Sequence, residues 1–182
     1  MSARTSLEVR KLRPEDERSS FRSGNIDLDR FFQRYAGQNQ FRHHVGTTYV
    51  AVESGAIVGF ATIAPSAIEV EHLPAARRKR LPGYPVPVLR LARLAVGERA
   101  QGRGVGLALL KAVFVLARGL AADYGCAGIV VDAKPDAVAF YARYGFFELG
   151  TMAGALGDRP APKPMFLEVG AIPTTPDARP SP

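Results

Sequence analysis

Apolar and polar positions change period several times along this chain, and each change marks an element. Residues 7–12 (LEVRKL) alternate apolar with charged side chains, the period-two signature of a half-buried strand. Pro14-Glu15-Asp16 interrupts the alternation and predicts the start of a short helix. A second helix start is expected at Ser23-Gly24-Asn25, with Asn25 as N-cap and Asp27 in the first turn, where the helix dipole favours an anion. Ile26, Leu28, Phe31, Phe32 and Tyr35 then recur at helical spacing and predict its buried face. Residues 43–46 read as loop. Residues 47–53 and 56–63 are strand-like and meet at Ser54-Gly55, a hairpin turn; the second strand is expected to continue, bent at Pro65, to residue 70. Residues 71–87 are rich in proline and basic side chains, a long loop with one helical turn at 75–80. A strand at 88–96 and a helix at 107–124 follow, the latter burying Leu107, Leu110, Val113, Phe114 and Ala117. Short strands at 129–131, 146–149 and 165–169, with a helix at 136–144, complete the pattern.

This is an α+β pattern: a mixed, mostly antiparallel sheet with a β-loop-α-β segment in its second half. With 182 residues, 47% of them hydrophobic, the chain supports one well-buried core. A single domain over residues 1–169 and a flexible proline-rich tail over 170–182 are expected. The apolar stretches read as too short, or too interrupted by charge, to span a bilayer. Residues 1–12 carry charge throughout and lack the apolar segment of a secretory signal, so a cytoplasmic protein without membrane contact is expected. The one cysteine, Cys126, precedes an apolar strand and reads as a small core residue. His43, His44 and His72 have no accompanying cysteine or carboxylate cluster, and no metal is expected.

Charge adds one fact. The formal net charge is +7, and Arg77, Arg78, Lys79 and Arg80 form the densest basic run. Such a run is a solvated loop or a contact for phosphate, whether in nucleic acid or on a coenzyme's 3′ position, and charge alone does not separate these.

The chemistry concentrates in Gln101-Gly102-Arg103-Gly104-Val105-Gly106, between the strand at 88–96 and the helix at 107–124. Glycines at a helix start let the backbone approach an anion, and the free N–H groups there favour negative charge. A nucleotide-triphosphate loop would end Gly-Lys-Ser/Thr, but Leu107 and Ala108 follow Gly106. A dinucleotide loop needs a glycine three positions after Gly104, where Leu107 stands. What is left is Q-x-x-G-x-G, formed by Gln101, Gly104 and Gly106. This resembles the coenzyme A loop of the GNAT acetyltransferases. Arg93-Leu94-Ala95-Val96 is similar to the end of that family's preceding strand, and Phe140-Tyr141-Ala142-Arg143-Tyr144-Gly145-Phe146 to its F-Y-x-x-x-G-F signature. The resemblance covers roughly residues 7–168.

It implies the GNAT fold, with two strands, here 88–96 and 128–132, splayed around the acyl carrier, and acetyl-CoA as co-substrate. Leu94, Ala95 and Val96 would hold pantetheine and the thioester carbonyl, and Gln101, Gly102, Arg103, Gly104, Val105 and Gly106 the pyrophosphate. Residues 132–134 would line the far side of the channel. Tyr141 matches the tyrosine that protonates the departing thiolate, its ordinary pKa of about 10 keeping it protonated at neutral pH; Tyr144, one turn on, competes for the role. No carboxylate stands out as a base: Glu98 is expected to face solvent, and Asp132 ends a strand. A site without a base suits an α-amine, ordinarily near 7.7–8.0, better than a lysine near 10.4.

A narrower resemblance lies upstream. Phe21-Arg22-Ser23-Gly24-Asn25-Ile26-Asp27-Leu28-Asp29-Arg30-Phe31-Phe32 is similar to the F-x-S/C-G-N-x-x-L-D-x-F/W-L segment of GNAT toxins from bacterial toxin–antitoxin pairs. Residues 84–96 resemble their approach to the coenzyme strand. The resemblance implies acetylation of aminoacyl-tRNA, a ribbon-helix-helix antitoxin as partner, and a homodimer. Arg77, Arg78, Lys79, Arg80, Arg90 and Arg93 would face tRNA. Two other readings stay open: a GNAT enzyme for a small amine or a protein terminus or lysine, and a binding module that keeps the fold without turnover.

Overall fold

The structure, a computed structural model, describes residues 6–150 and 162–174. Its strands are β1 (Glu8–Lys11), β2 (Thr47–Glu53), β3 (Ala56–Ile68), β4 (Val86–Val96), β5 (Gly128–Ala133), β6 (Phe147–Glu148) and β7 (Lys163–Glu168). They form one mixed sheet in the order β1-β2-β3-β4-β5-β7-β6, with antiparallel pairing at β1–β2, β2–β3, β5–β7 and β6–β7. Helical segments are α1 (residues 26–43), α2 (Ala75–Arg78), α3 (Val105–Asp123) and α4 (Val138–Arg143). The α+β expectation holds. The described chain divides into two compact units, one of residues up to Ala64 with Leu91–Val113, the other of Pro65–Arg90 with the described residues from Phe114 on.

In the first unit the core is aromatic. Phe32 stacks flat on Phe60 with ring centroids 4.4 Å apart, and Phe21 meets both edge-on at 5.0 and 5.5 Å. Asn25 caps α1 as its sequence position predicts, its side-chain oxygen accepting the N–H groups of Asp27 and Leu28 at 3.1 Å. The predicted apolar face is only partly right: Ile26 is 73% exposed and Tyr35 46%. The run is α-helical at Ile26–Arg30 and Ala36–Gln38 but π-helical at Phe31–Tyr35 and Asn39–His43. The wider turns shift the buried side onto Phe31, Phe32 and Ala36. No helix forms at Pro14. Instead the Asp16 carboxylate accepts Arg10 Nη1 and Nη2 at 2.8 Å and the Arg13 N–H at 2.7 Å, closing a turn. The hairpin between β2 and β3 turns on Ser54 (φ 50°) and Gly55 (φ 77°), the positive pair that matches strand twist. β3 runs through Pro65, two residues short of its expected end.

The second unit packs Ile68, Val70, Leu73, Val88, Val130 and Phe166 together. Gly128 opens β5 because nothing larger fits: a Cβ there would lie 2.1 Å from the Leu167 carbonyl oxygen and 2.6 Å from the Phe166 ring. Packing continues beyond residue 169. Val169–Ala171 make a 3-10 turn, Ile172 is buried, and Arg118 Nη1 donates to the Pro173 carbonyl. Of the tail expected over 170–182, residues 175–182 lie outside those described. Cys126 is buried, as a core residue should be.

The helix after the glycine loop buries Leu109, Leu110, Val113, Phe114 and Ala117, with Leu107 only half-buried. By length and composition α3 is long and apolar enough to cross a membrane. This corrects the sequence reading, which counted charges as interruptions; residues 105–122 hold only Lys111 and Arg118. A core helix passes the same test, and Leu109, Leu110 and Val113 are fully buried.

Candidate functional site

In the first unit, β4 ends at Val96 and the chain enters the glycine loop under three restraints. The Gly97 N–H donates to the Val58 carbonyl at 2.8 Å, and the Glu98 N–H to the Arg22 carbonyl at 2.9 Å. The Gln101 side-chain amide donates to the carbonyls of Val96 (3.1 Å) and Ser23 (2.9 Å). Gln101 thus ties the loop to the strand before it and to the Phe21–Asn25 stretch, leaving phosphate contact to the backbone. That stretch is itself fixed, since Asp29 accepts both the N–H and the hydroxyl of Ser23 at 2.9 and 2.6 Å.

Gly102 and Gly104 hold φ of +74° and +84°, and a Cβ at either would meet open space. Conformation, rather than crowding, requires glycine there. The Ala108 N–H is bonded to the Gly104 carbonyl at 3.0 Å. The N–H groups of Val105, Gly106 and Leu107 therefore precede the first intrahelical bond and have no helical acceptor. They stand at the positive end of α3 beside the exposed turn 101–104. Such a cradle suits a diphosphate. Arg103 does not reach into it: its guanidinium donates to both carboxylate oxygens of Glu53, at 2.6 and 2.8 Å.

One residue that the sequence reading passed over positions the cradle. A Cβ on Gly59 of β3 would lie 2.9 Å from Val105 Cγ1, 3.1 Å from the Ala95 carbonyl oxygen and 3.1 Å from Leu109 Cδ1. Gly59 lets the start of α3 seat against the strands. The sequence signal was a glycine inside an apolar strand run. Ala95 is buried, with Leu94 and Val96 half-buried beside it.

In the second unit Tyr141 lies on α4 and is 5% exposed. Phe140 and Phe146 meet its ring edge-on at 5.1 and 5.4 Å. Gly145, at φ +95°, turns the chain so that Phe146 returns against Tyr141, its N–H bonded to the Tyr141 carbonyl at 3.3 Å. The F-Y-x-x-x-G-F spacing is thus a small aromatic box. Burial pushes the Tyr141 phenol well above its ordinary value. Tyr144 is half-buried against Phe140 at 5.3 Å and lacks that enclosure.

Asp132, one residue before the end of β5, forms an ion pair with Arg90, and the two line a cavity of about 260 Å³ with Ile68, His72, Val130 and Leu149. Ala133 is buried and Lys134 exposed, while Glu98, on the first unit, is exposed as expected. The basic run divides. Arg77 pairs with Glu168 at 2.6 Å and lies 4.2 Å over the Phe147 ring, whereas Arg78, Lys79 and Arg80 are exposed. In the first unit Arg93 lies over Phe31 at 3.8 Å, its pKa lowered by burial. Three of the six arginines and lysines expected to face RNA are therefore engaged within the protein.

Comparison with known proteins adds the family. The acetyltransferase (GNAT) domain model matches residues 44–148, a span that includes the glycine loop and Tyr141. Over 138 residues the chain is 33% identical to the tRNA-acetylating toxin of Mycobacterium tuberculosis, covering 75% of this chain and 82% of that protein. It is similar in structure to AtaT complexed with acetyl-methionyl-tRNAfMet, at a TM-score of 0.79 and 21% identity, over 91% of this chain and 96% of that one. It is also similar to a mutant AtaT toxin bound to the C-terminus of the antitoxin AtaR and acetyl-CoA, at a TM-score of 0.71 and 19% identity, over 91% and 94%. At such identities the structural likeness shows the fold.

Proposed function

Because the chain belongs to the GNAT acetyltransferases, enzymes that draw on acetyl-CoA, we propose that it is a toxin that acetylates the α-amine of aminoacyl-tRNA and so blocks translation. The choice of acceptor rests on the 33% identity to a tRNA-acetylating toxin over three quarters of the chain. The glycine cradle and the buried phenol supply chemistry consistent with it.

Acetyl-CoA supplies a thioester: the acceptor nitrogen forms the new C–N bond, the C–S bond breaks, and sulfur departs as thiolate. The protein's part is binding and proton transfer. Backbone amides of Val105, Gly106 and Leu107, with those of the Gly102–Gly104 turn, hold the diphosphate oxygens. Amides at Leu94, Ala95 and Val96 hold the carrier arm and the carbonyl oxygen as it gains charge. Tyr141 donates its proton to the departing sulfur, and the proton that the acceptor nitrogen sheds on becoming an amide passes to solvent, from which the phenolate is reprotonated. Its raised pKa keeps the phenol protonated across the physiological range. A dry surrounding that disfavours phenolate disfavours thiolate too, so the two basicities rise together and the transfer stays matched.

The acceptor must be neutral. Asp132 is tied to Arg90 and Glu98 is exposed, so neither stands as a desolvated base. An α-amine ordinarily near 7.7–8.0 is substantially neutral already at cellular pH, whereas a lysine near 10.4 is not. We infer in addition a ribbon-helix-helix antitoxin as the masking partner, a homodimer as the working form, and the cytoplasm, where charged tRNA resides, as the place of action. Growth on expression tests the reading. The wild-type chain should arrest growth alone and not with its antitoxin, and Tyr141→Phe should abolish the arrest. Arrest that persists in folded Tyr141→Phe protein would refute acetyl transfer as its cause.

A further inference from the structure

Arg77, Arg90 and Arg93 are occupied by protein groups and Arg78, Lys79 and Arg80 stay exposed on the second unit, but a separate set of cations gathers in the first unit. Arg22, Arg30 and Arg34 line one groove of about 550 Å³ in the first unit, along the start of α1 with Gln33. All three are exposed. Arg22 Nη1 donates to the carbonyls of Ser19 and Phe21, both at 2.8 Å, which fixes its guanidinium. Arg30 meets Asp27 only at 3.9 Å between two exposed side chains, a contact worth little. Arg34 makes no hydrogen bond or ion pair among the described residues.

Two carboxylates share the groove. Asp29 is buried and committed to Ser23. Glu98 is exposed and lies against Gly24 at one end. That end joins the glycine cradle, since Arg22 and Ser23 accept the bonds from Glu98 and Gln101 that tie the loop down. The groove and the diphosphate cradle are thus one hydrogen-bonded piece.

We propose that this groove holds the phosphodiester backbone of the RNA acceptor, with Arg22, Arg30 and Arg34 facing successive phosphates. The inference rests on the tRNA reading above and adds the surface that positions the substrate. Contacts of this kind fix register and orientation without reading sequence.

The test uses the full chain, uncharged tRNA as the binding probe, and fluorescence anisotropy across a salt series. Arg30→Glu/Arg34→Glu should weaken tRNA binding at least about tenfold and lower the salt slope by about 1.4–1.8, since each lost phosphate contact removes roughly 0.7–0.9. Arg34→Glu should weaken binding more than Arg42→Glu, a matched reversal at an exposed arginine outside the groove. Calorimetry should show acetyl-CoA affinity retained in the double variant. An unchanged Kd and slope would overturn the proposal. So would equal losses from Arg34→Glu and Arg42→Glu, which would mark a whole-protein charge effect. A loss of acetyl-CoA affinity with tRNA affinity intact would overturn it by assigning the groove to the coenzyme's 3′-phosphate. Groove-dependent tRNA binding by a wild-type chain that acetylates no charged tRNA would sink the functional reading and leave the groove standing. Full acetylation with unweakened tRNA binding in the double variant would do the reverse.

Discussion

Replacing Gly59 by alanine adds one methyl group at the point where α3 seats on the sheet. The methyl would lie 2.9 Å from Val105 Cγ1, 3.1 Å from Leu109 Cδ1 and 3.1 Å from the Ala95 carbonyl oxygen. Two of these are side-chain ends that can yield by a few tenths of an ångström. The third is β4 backbone, which cannot yield without moving the strand. Overpacking of this kind costs about 1–3 kcal/mol. For a chain of this length a cost near 2 kcal/mol lowers the melting temperature by about 4–8 °C. Val105 is also the first residue of α3, so relief of the clash moves the amides of Val105 and Gly106 off their phosphate geometry.

Calorimetric titration with acetyl-CoA should therefore show a Kd raised about tenfold, near 1.4 kcal/mol. Gly119→Ala is the control. It lies within α3 with nothing within 4 Å of its Cβ position, so alanine there should stabilise the helix by about 0.5–1 kcal/mol and leave coenzyme binding alone. A Gly59→Ala protein that melts and binds acetyl-CoA like wild type would refute the role of close packing in setting the cradle.

Three other outcomes follow from the same contacts. Gln101→Ala removes two bonds to backbone carbonyls and should cost about 1–2 kcal/mol of stability while raising the acetyl-CoA Kd; an unchanged Kd would show that the loop holds its shape without the tether. Tyr141→Phe should lower kcat by roughly 10²–10³ with acetyl-CoA affinity kept, and the wild-type rate should show no fall from phenol ionisation below about pH 10, because burial raises that pKa. The same shift makes stability decline above about pH 10, where the unfolded phenol ionises and the folded one does not. Asp16 works in the opposite direction: the Arg10 guanidinium holds its carboxyl below the ordinary 3.8, so the stability it adds is present above that value and is lost as pH falls through the lowered one. Asp16→Asn should cost about 2 kcal/mol near pH 6 by urea denaturation, and the gap to wild type should close as pH falls below the ordinary carboxylate range; a gap independent of pH would contradict the assignment.

Features set by neighbours in sequence were legible beforehand. The Asn25 cap, the Ser54-Gly55 turn, the glycine loop and the Phe140–Phe146 box each follow from a few adjacent residues. What escaped was set at long range. Gly59 reads as an ordinary strand glycine until Val105 and Leu109 are placed over it. Charge patterning showed cations but not their partners. Arg90 meets Asp132 42 residues away and Arg103 meets Glu53 50 residues away, so residues expected to face RNA or phosphate turned out to be held by carboxylates. Conversely, Arg30 and Arg34 lie about one turn apart on α1, but only the turn before α1 brings Arg22 into the same groove. The π-helical turns of α1 left no periodic signal and moved its buried face.

The most direct test of the acetyl-transfer account is incubation of the purified chain with acetyl-CoA carrying a labelled acetyl group, together with charged or uncharged tRNA. Label should appear on charged tRNA alone, and mild base that cleaves the aminoacyl ester should release it as the N-acetyl amino acid. Label on both RNAs alike, or on neither, would contradict acetylation of the α-amine.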